Sequence, residues 1–275
     1  MVNVVVAGAA GRMGGRITQM IQKSEGIKLW GVFEKQDHPA IGQDVGDIAG
    51  LGKTGIILKG DISEAMNDAD VLIDFTAPES TLQHIRFIAK TGQATVIGTT
   101  GITGEQEKEL NQLAQGIRCV KSPNMSVGVN VLFKMVENVS RILGQDYDME
   151  VIEAHHRLKK DAPSGTAMHL ARILADSTGR NLETDAVYER RGFIGLRGEE
   201  EIGIQTIRAG DIVGEHTVMF AGPGERIEIT HRAHSRDNFA RGALLATTWV
   251  VNQPNGLYDM QDVLGLRERK NVYTR

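Results

Sequence analysis

The first half of the chain alternates short apolar runs with segments of helical periodicity. Between the first two apolar runs, Ile17, Met20 and Ile21 recur at helical spacing. The five apolar runs lie within residues 2–6, 27–35, 69–76, 94–101 and 117–124. Short, nearly continuous apolar strands that alternate with helices predict an α/β domain, in which helices cover both faces of a parallel sheet.

The pattern changes after about residue 126. A helical segment at 127–143 is followed from Met149 onward by longer strands with alternating polarity, as where Ile227 and Ile229 alternate with polar neighbours. This region predicts an α+β domain with a mixed or antiparallel sheet. We expect the helical segment after residue 236 to return to the first domain. The predicted domains are 1–126 with 237–275, and 127–236.

Composition and net charge argue against several classes of function. Over 275 residues the net charge is −4, which argues against general binding to nucleic acid or to an anionic membrane. The single cysteine, Cys119, permits no internal disulfide and suits a reducing cytoplasm. No apolar stretch approaches the length of a membrane helix, and the N-terminus lacks the pattern of a signal peptide.

A glycine turn follows the first apolar run. It reads G-x-x-G-x-x-G at Gly8, Gly11 and Gly14, with Ala10 where the strict dinucleotide fingerprint has its second glycine. The strand–turn–helix context still allows a tight turn, close approach of the backbone to a pyrophosphate, and tight packing of helix on strand. The alternative is an ordinary strand–helix turn.

Glu34 lies twenty positions after Gly14, at the end of the second apolar run. A carboxylate there can accept hydrogen bonds from the adenosine ribose, which favours NADH, whereas the adjacent Lys35 can meet the 2′-phosphate of NADPH. We therefore expect tolerance of NADH and NADPH, the alternative being that Glu34 is a solvated strand end.

Two further turns follow the fourth and fifth apolar runs. Because carboxyl ends of parallel strands meet at one sheet edge, we expect these turns to complete the cofactor site, although each alone resembles a plain loop. The cofactor-binding candidates are Gly8, Ala9, Ala10, Gly11, Arg12, Met13, Glu34, Lys35, Gly98, Thr99, Thr100, Ser122, Pro123, Asn124 and Met125.

The segment 153–167, EAHHRLKKDAPSGTA, gathers titratable and basic residues before a helix start. Ser164 can cap that helix, with Gly165 and Thr166 in its first turn, and Lys159 adds positive charge, so a small carboxylated substrate fits. His155 and His156 can supply a proton near neutral pH. The alternative is a solvated basic loop.

Three other motifs compete with this interpretation. The segment GLGKTG resembles a P-loop, but Asp47 stands where its first glycine is required. Cys119 lies inside an apolar strand, which predicts a structural thiol. His231 and His234 lack a convincing third ligand, so we expect no metal site.

The combination of GAAGRMG, GTTG, SPNMSVGVNV, HRAHSR and above all EAHHRLKKDAPSGTA resembles the 4-hydroxy-tetrahydrodipicolinate reductase family over essentially the whole chain. The resemblance implies an N-terminal Rossmann-like domain, a C-terminal substrate and tetramerisation domain, and a cytoplasmic enzyme of lysine and diaminopimelate biosynthesis that uses NADH or NADPH. It implies a homotetramer and a dicarboxylate substrate, held between the domains.

By position, the resemblance assigns proton donation to His155 with Lys159 as partner. It assigns substrate contacts to His156, Gly165 and Thr166, with Ser164 nearby. Two other hypotheses remain open from the residues alone: a dehydrogenase of related architecture with a different substrate, and a dinucleotide sensor without catalytic activity.

Overall fold

The structure, a computed structural model, describes residues 1–267. The chain folds into two compact units. Unit 1 comprises Met1–Val127 and the C-terminal residues from Asp237 onward, and unit 2 comprises Gly128–Arg236. The last eight residues of the expected first domain, 268–275, lie outside the described residues.

Unit 1 contains a seven-stranded sheet in which every pairing is parallel. Its strands are β1 (Val2–Ala7), β2 (Ile27–Phe33), β3 (Leu58–Lys59), β4 (Val71–Asp74), β5 (Ala94–Ile97), β6 (Arg118–Lys121) and β12 (Gly256–Tyr258). They lie in the order β3-β2-β1-β4-β5-β6-β12, so the chain reverses direction across the sheet between β1 and β4. The carboxyl ends beside such a reversal form a ligand-binding crevice in open α/β sheets.

Helices cover both faces of this sheet, as the doubly wound pattern requires. They are α1 (Arg12–Ile21), α2 (Val45–Ala49), α3 (Ile62–Met66), α4 (Pro78–Thr91), α5 (Gly104–Ala114), α9 (Asp237–Val250) and α10 (Met260–Val263). Along β1, Val4 and Val6 pack in the core with α1 and α9, whereas Val5 and Ala7 pack in the core with α4 and α5. The alternation of β1 side chains between two cores confirms the prediction of a parallel sheet covered on both faces.

Unit 2 contains a five-stranded mixed sheet in the order β11-β10-β7-β9-β8. Its strands are β7 (Asp148–His155), β8 (Ala186–Val187), β9 (Ile202–Arg208), β10 (Gly214–Gly222) and β11 (Glu225–Ala233). Its helices are α6 (Val127–Leu143), which begins at the last residue of unit 1, α7 (Gly165–Thr178) and α8 (Leu182–Asp185). The mixed sheet confirms the second half of the predicted fold class.

One face of the unit 2 sheet is a core face. Met149 and Val151 of β7 pack there with Phe133 of α6 and with Leu170 and Leu174 of α7. The opposite face leaves Ile207 exposed and Ile152 and Met219 partly exposed. Because Glu153 and His155 follow Val151 at two-residue steps, they lie on the core face, at its end.

The N-terminus of α1 packs directly on the glycine turn that precedes it. A Cβ at Gly14 would lie 2.2 Å from the carbonyl oxygen of Gly8, whereas a Cβ at Gly15 would lie 3.5 Å from its nearest neighbour, the carbonyl oxygen of Ala9. A side chain therefore fits at position 15 of this helix but not at position 14.

We expect Gly14→Ala to lower the free energy of unfolding by about 1–3 kcal/mol, because backbone must move to admit the methyl group. Gly15→Ala should be neutral or stabilising by up to about 1 kcal/mol, because alanine favours helix. Urea denaturation followed by circular dichroism measures both. Equal losses in the two variants would contradict the proposed packing.

Candidate active site

The cofactor-binding candidates of unit 1 converge on the carboxyl edge of its sheet. The glycine turn follows β1, Glu34 follows β2, Gly98 follows β5 and Ser122 follows β6. Because these strands are parallel members of one sheet, their following residues share one edge. The sequence motifs are therefore brought together by topology.

The glycine turn has the backbone geometry that a phosphate site requires. Gly8 has a φ of 63°, and its carbonyl oxygen accepts a 2.9 Å hydrogen bond from the amide of Gly11. The first turn of α1 contains no acidic residue, and its N-cap, Gly11, supplies no side-chain cap. Amides at this helix start are thus left for an anion, and their partial positive charge favours one.

A buried carboxylate, Asp74, fixes the loops beside this turn. It accepts hydrogen bonds from the Thr76 amide at 3.0 Å, the Thr76 hydroxyl at 2.6 Å and His84 Nδ1 at 2.8 Å. Thr99, after β5, is buried and accepts hydrogen bonds from the Thr76 amide at 3.0 Å and the Thr81 hydroxyl at 2.8 Å. The ends of β4 and β5 are consequently tied together.

Several cofactor-binding candidates have side chains that are buried or already hydrogen-bonded within unit 1. Met125 is buried in the core of unit 1. The Ser122 hydroxyl donates to the carbonyl oxygen of Asn124 at 2.9 Å, and the Thr99 hydroxyl belongs to the Asp74 network. Any contact of Met125 with a cofactor would therefore come from its backbone. Arg12, Lys35, Thr100 and Pro123 are exposed.

In unit 2, the side chain of His155 is fixed by Glu153. Its Nδ1 lies 2.5 Å from Glu153 Oε2, and Glu153 itself has no exposed surface. Arg208 of β9 forms a two-point pair with the same carboxylate, at 2.9 and 2.8 Å. The Ser164 amide donates to Glu153 Oε1 at 3.0 Å, and the Thr206 hydroxyl lies 3.3 Å from that oxygen.

These donors keep the Glu153 carboxyl ionised. Burial by itself raises its pKa, but the hydrogen bonds from His155, Arg208 and the Ser164 amide outweigh burial and lower the pKa to about 2. Glu153 therefore remains an anion that accepts hydrogen bonds, and it does not exchange protons near neutral pH.

Ser164 begins α7 in the predicted way. Its hydroxyl oxygen accepts a 3.1 Å hydrogen bond from the Ala167 amide, which confirms it as N-cap. The same oxygen lies 3.1 Å from Nε2 of His216, a buried residue of β10. A Cβ at Gly165 would meet no atom within 4 Å, so there is open space beside this helix start.

His216 stays neutral at physiological pH. Burial is the largest cause that lowers its pKa to about 3; the charge of Lys159 acts in the same direction, and the charge of Glu153 opposes it. Its ring centroid lies 5.2 Å from that of His155. The imidazole thus supports Ser164 and His155 without adding charge to the site.

Lys159 projects from the loop between β7 and α7. Its Nζ lies 2.9 Å from Asp161 Oδ1, and the backbone of the same loop is held by a 2.7 Å hydrogen bond from Arg208 to the Asp161 carbonyl oxygen. His156, next in the chain to His155, is partly exposed, and its buried Nδ1 has no hydrogen-bond partner among the described residues. The loop therefore presents one ammonium group near the imidazole cluster.

The competing motifs have structural explanations. Cys119 is fully buried in β6, where burial raises the pKa of its thiol to about 12, so it lacks the thiolate of a nucleophile. Thr54 of GLGKTG donates hydrogen bonds from its amide and its hydroxyl to Asp44, at 3.0 and 2.8 Å.

Two other features are absent from residues 1–267. No three His, Cys, Asp or Glu side chains there are arranged to hold a metal ion. No helix in the same range is long and apolar enough to cross a bilayer.

Four residues of the two sites were missed by the sequence interpretation: Glu153, Arg208, His216 and Asp74. Only Glu153 carried a local signal, because a two-residue step in a strand places it on the same face as His155. Arg208 and His216 reach the site through pairing of β7 with β9 and β10. That register is not readable from periodicity alone.

Comparisons with known proteins cover both units. The family model for the N-terminal domain of dihydrodipicolinate reductase matches residues 2–125, and that for its C-terminal domain matches residues 128–264. The 4-hydroxy-tetrahydrodipicolinate reductase of Syntrophobacter fumaroxidans is 57% identical over 97% of this chain and 100% of its own length. That of Syntrophus aciditrophicus is 52% identical with the same coverage.

Among solved structures, the chain is similar to a dipicolinate-bound dihydrodipicolinate reductase from Paenisporosarcina sp. TG-14. The TM-score is 0.74 at 24% identity, and the match covers 95% of this chain and 98% of that one. This likeness agrees with the fold described above.

The low pKa of His216 predicts how stability changes with pH. Below its ordinary pKa near 6.5, the unfolded chain binds a proton that the folded chain refuses until about pH 3, so acid favours unfolding. We expect His216 to remove roughly 2 kcal/mol of stability between pH 7 and pH 5. His231, whose pKa is lowered by burial, acts in the same direction.

Chemical denaturation at pH 7 and pH 5 tests this expectation. In His216→Gln the loss of stability between the two pH values should shrink by about the same roughly 2 kcal/mol, because glutamine does not titrate. An unchanged loss in the variant would show that other groups control the acid response in this window.

Proposed function

Because the chain belongs to the dihydrodipicolinate reductase family, we propose that the residues gathered in its two units divide one reduction between them. The family reaction is the NAD(P)H-dependent reduction of 4-hydroxy-tetrahydrodipicolinate to tetrahydrodipicolinate, in lysine and diaminopimelate biosynthesis. The reaction needs a hydride and a proton, and the 4-hydroxyl group leaves as water. We assign cofactor binding to unit 1, and substrate binding with proton delivery to unit 2.

Unit 1 suits a dinucleotide on three observations. The glycine turn leaves its helix start uncapped by any side chain, which provides amides for the pyrophosphate. The carboxylate of Glu34 lies beside the turn, with Oε2 3.9 Å from where a Gly8 Cβ would stand, and can accept from a ribose hydroxyl. Lys35, exposed and adjacent, can meet a 2′-phosphate. A bound NADH or NADPH supplies the hydride.

The remaining cofactor candidates contribute mainly backbone. We propose that residues 98–100 and 122–125 line the nicotinamide end of the site, held in place by the Asp74 network and by the Ser122 hydroxyl. This role fits their position after β5 and β6 and does not require the buried side chain of Met125 to move.

The single observation that carries the mechanism is the bond between His155 and the buried, ionised Glu153. It orients the imidazole with one nitrogen occupied and leaves Nε2 to deliver the proton that completes the reduction. We propose His155 as the proton donor, and Lys159 as the neighbouring cation that stabilises the developing negative charge.

The substrate has two carboxylates, and the loop before α7 offers two complementary groups. The helix start at Ser164, Gly165 and Thr166, with its open space, suits one carboxylate. Lys159 and His156 suit the other. The similar enzyme from Paenisporosarcina sp. TG-14 was solved with dipicolinate, a compound of the same chemical class.

We further propose that the enzyme is a cytoplasmic homotetramer assembled through unit 2. Its sheet leaves Ile207 exposed on the face opposite α7, and the loop between β8 and β9 exposes Phe193 and Leu196 completely. Exposed apolar side chains of this size favour association with another copy.

Activity assays test the proposed function. Substrate generated by a coupled synthase should drive oxidation of NADH, NADPH or both by the wild-type enzyme. We expect His155→Ala to lower kcat by about 10²–10⁴-fold with a smaller effect on KM, because it removes the general acid and leaves the carboxylate-binding groups. A large rise in KM with unchanged kcat would instead make His155 a binding residue.

Lys159→Ala should lower kcat and raise the substrate KM, because we assign both charge stabilisation and carboxylate binding to its ammonium group. Lys160→Ala is the matched control, since Lys160 is the adjacent lysine and is exposed. Near wild-type kinetics for Lys159→Ala would contradict the mechanism, as would an equal defect in Lys160→Ala.

Sedimentation velocity tests the assembly. The wild-type chain of 30.0 kDa should sediment as a tetramer. The double substitution Phe193→Asp and Leu196→Asp should shift the population towards smaller species, because charge is costly to bury in an apolar interface. A wild-type monomer at micromolar concentration would contradict the proposed tetramer.

A further inference from the structure

The Glu153 carboxylate contacts both chemical parts of the unit 2 site. One oxygen, Oε2, lies 2.5 Å from Nδ1 of His155, and the other, Oε1, accepts the amide of Ser164 at 3.0 Å. Arg208 bonds both oxygens. The proposed proton donor, His155, and the proposed carboxylate-binding helix start at Ser164 are thus both hydrogen-bonded to one buried carboxylate.

We propose that Glu153, held by Arg208, is a positioning residue of the reaction, which fixes the tautomer of His155 and couples its position to the anion-binding start of α7. The proposal rests on the proposed function of His155. Glu153 has no exposed surface, so it acts through His155 and the helix start that it contacts.

The tautomer follows from what each atom can donate. An ionised carboxylate only accepts hydrogen bonds, and Nδ1 of His155 at 2.5 Å from it must therefore carry a hydrogen. Nδ1 keeps that hydrogen whether the imidazole is neutral or charged. The proton that is exchanged then belongs to Nε2, the nitrogen remote from Glu153.

Gly214 of β10 provides room for that nitrogen. A Cβ at this position would lie 3.0 Å from Nε2 of His155 and 3.4 Å from Cδ2. A side chain here would press on the atom that must reach the substrate. The ring is therefore bounded by Glu153 on one side and by a residue without a side chain on the other.

Arg208 extends the coupling to the Lys159 loop. Besides pairing with Glu153, its guanidinium donates to the carbonyl oxygen of Asp161 at 2.7 Å, two residues after Lys159. One arginine thus joins the carboxylate that orients His155 to the backbone that carries the proposed cation. A two-point arginine pair resists rotation better than a lysine pair would.

Charged and titratable groups face His155 from each element packed against it. They are Glu153 on its own strand, Arg208 on β9, His216 on β10, and Lys159 and Asp161 on the following loop. Of these, Glu153 alone both touches the ring and carries a negative charge. Its replacement by a neutral group should disfavour the charged imidazole.

Glu153→Gln tests the role with little change of volume, and Glu150→Gln is its matched control. Glu150 lies on the same strand, on the opposite face, and forms the same two-point pair with Arg190, at 3.0 and 2.8 Å. We expect Glu153→Gln to lower kcat by about 10²-fold, as expected for a misplaced general acid. We also expect a rise in the substrate KM and an unchanged KM for NADH.

The dependence of kcat on pH distinguishes a misoriented His155 from a simple loss of folded enzyme. In Glu153→Gln the pH at which kcat declines on the alkaline side should move to lower pH, because the charged imidazole loses its anionic partner. Glu150→Gln should retain the wild-type kcat and profile. A folded Glu153→Gln enzyme with kcat within twofold of wild type, or an equal kcat defect in Glu150→Gln, would overturn the proposal.

Nitrogen-15 NMR of histidine-labelled wild-type enzyme gives a test that does not need turnover. The His155 signals, assigned by their loss in His155→Asn, should show a protonated Nδ1 on both sides of the titration. An Nε2–H tautomer with bare Nδ1 would overturn the proposal. If Nδ1 is protonated but His155→Ala retains full kcat, the positioning role stands and the assignment of His155 as proton donor fails.

Discussion

The unit 2 site depends on an ionised carboxyl group buried without contact with solvent. Removing such a charge from water costs several kcal/mol unless hydrogen bonds and an opposite charge replace the lost hydration. For Glu153 those replacements come from Arg208 on β9, the Ser164 amide and His155. Any displacement of β9, of the loop before α7 or of the imidazole leaves part of that charge unsatisfied. The positions of the His155 imidazole and of the helix start at Ser164 are thus consequences of satisfying one buried anion.

Unit 1 also buries a carboxyl group, at the carboxyl edge of its sheet. Asp74 is buried at the end of β4 and is satisfied by the Thr76 amide and hydroxyl and by His84. These donors come from short local segments, within ten residues of the carboxylate. Thr76 also packs against the glycine turn, where its Cγ2 lies 2.9 Å from the position of a Gly8 Cβ. The Asp74 network therefore holds the loop after β4 in place. Through Thr76 it also leaves too little room for a side chain at position 8 of the glycine turn.

Sequence reasoning succeeded where the physical cause is local. The alternation of apolar runs with helical segments predicted the parallel sheet, and strands of alternating polarity predicted the mixed one. Ser164 was identifiable as an N-cap because its hydroxyl accepts from an amide three residues away. The short edge strands β3 and β12 carry too few residues to show a period. Arg208 and His216 reach the site only through cross-strand register, which depends on packing of the whole sheet. Glu153 was visible in the motif, but its burial was not.

The fixed charges around His155 and His216 form two pairs of opposite sign. Arg208 is balanced by Glu153, and Lys159 is balanced by Asp161, so the fixed charges of the cluster nearly cancel. With its pKa lowered to about 3, His216 adds nothing to that balance near neutral pH. The buried imidazole of His216 therefore adds a hydrogen bond at Ser164 without disturbing that balance.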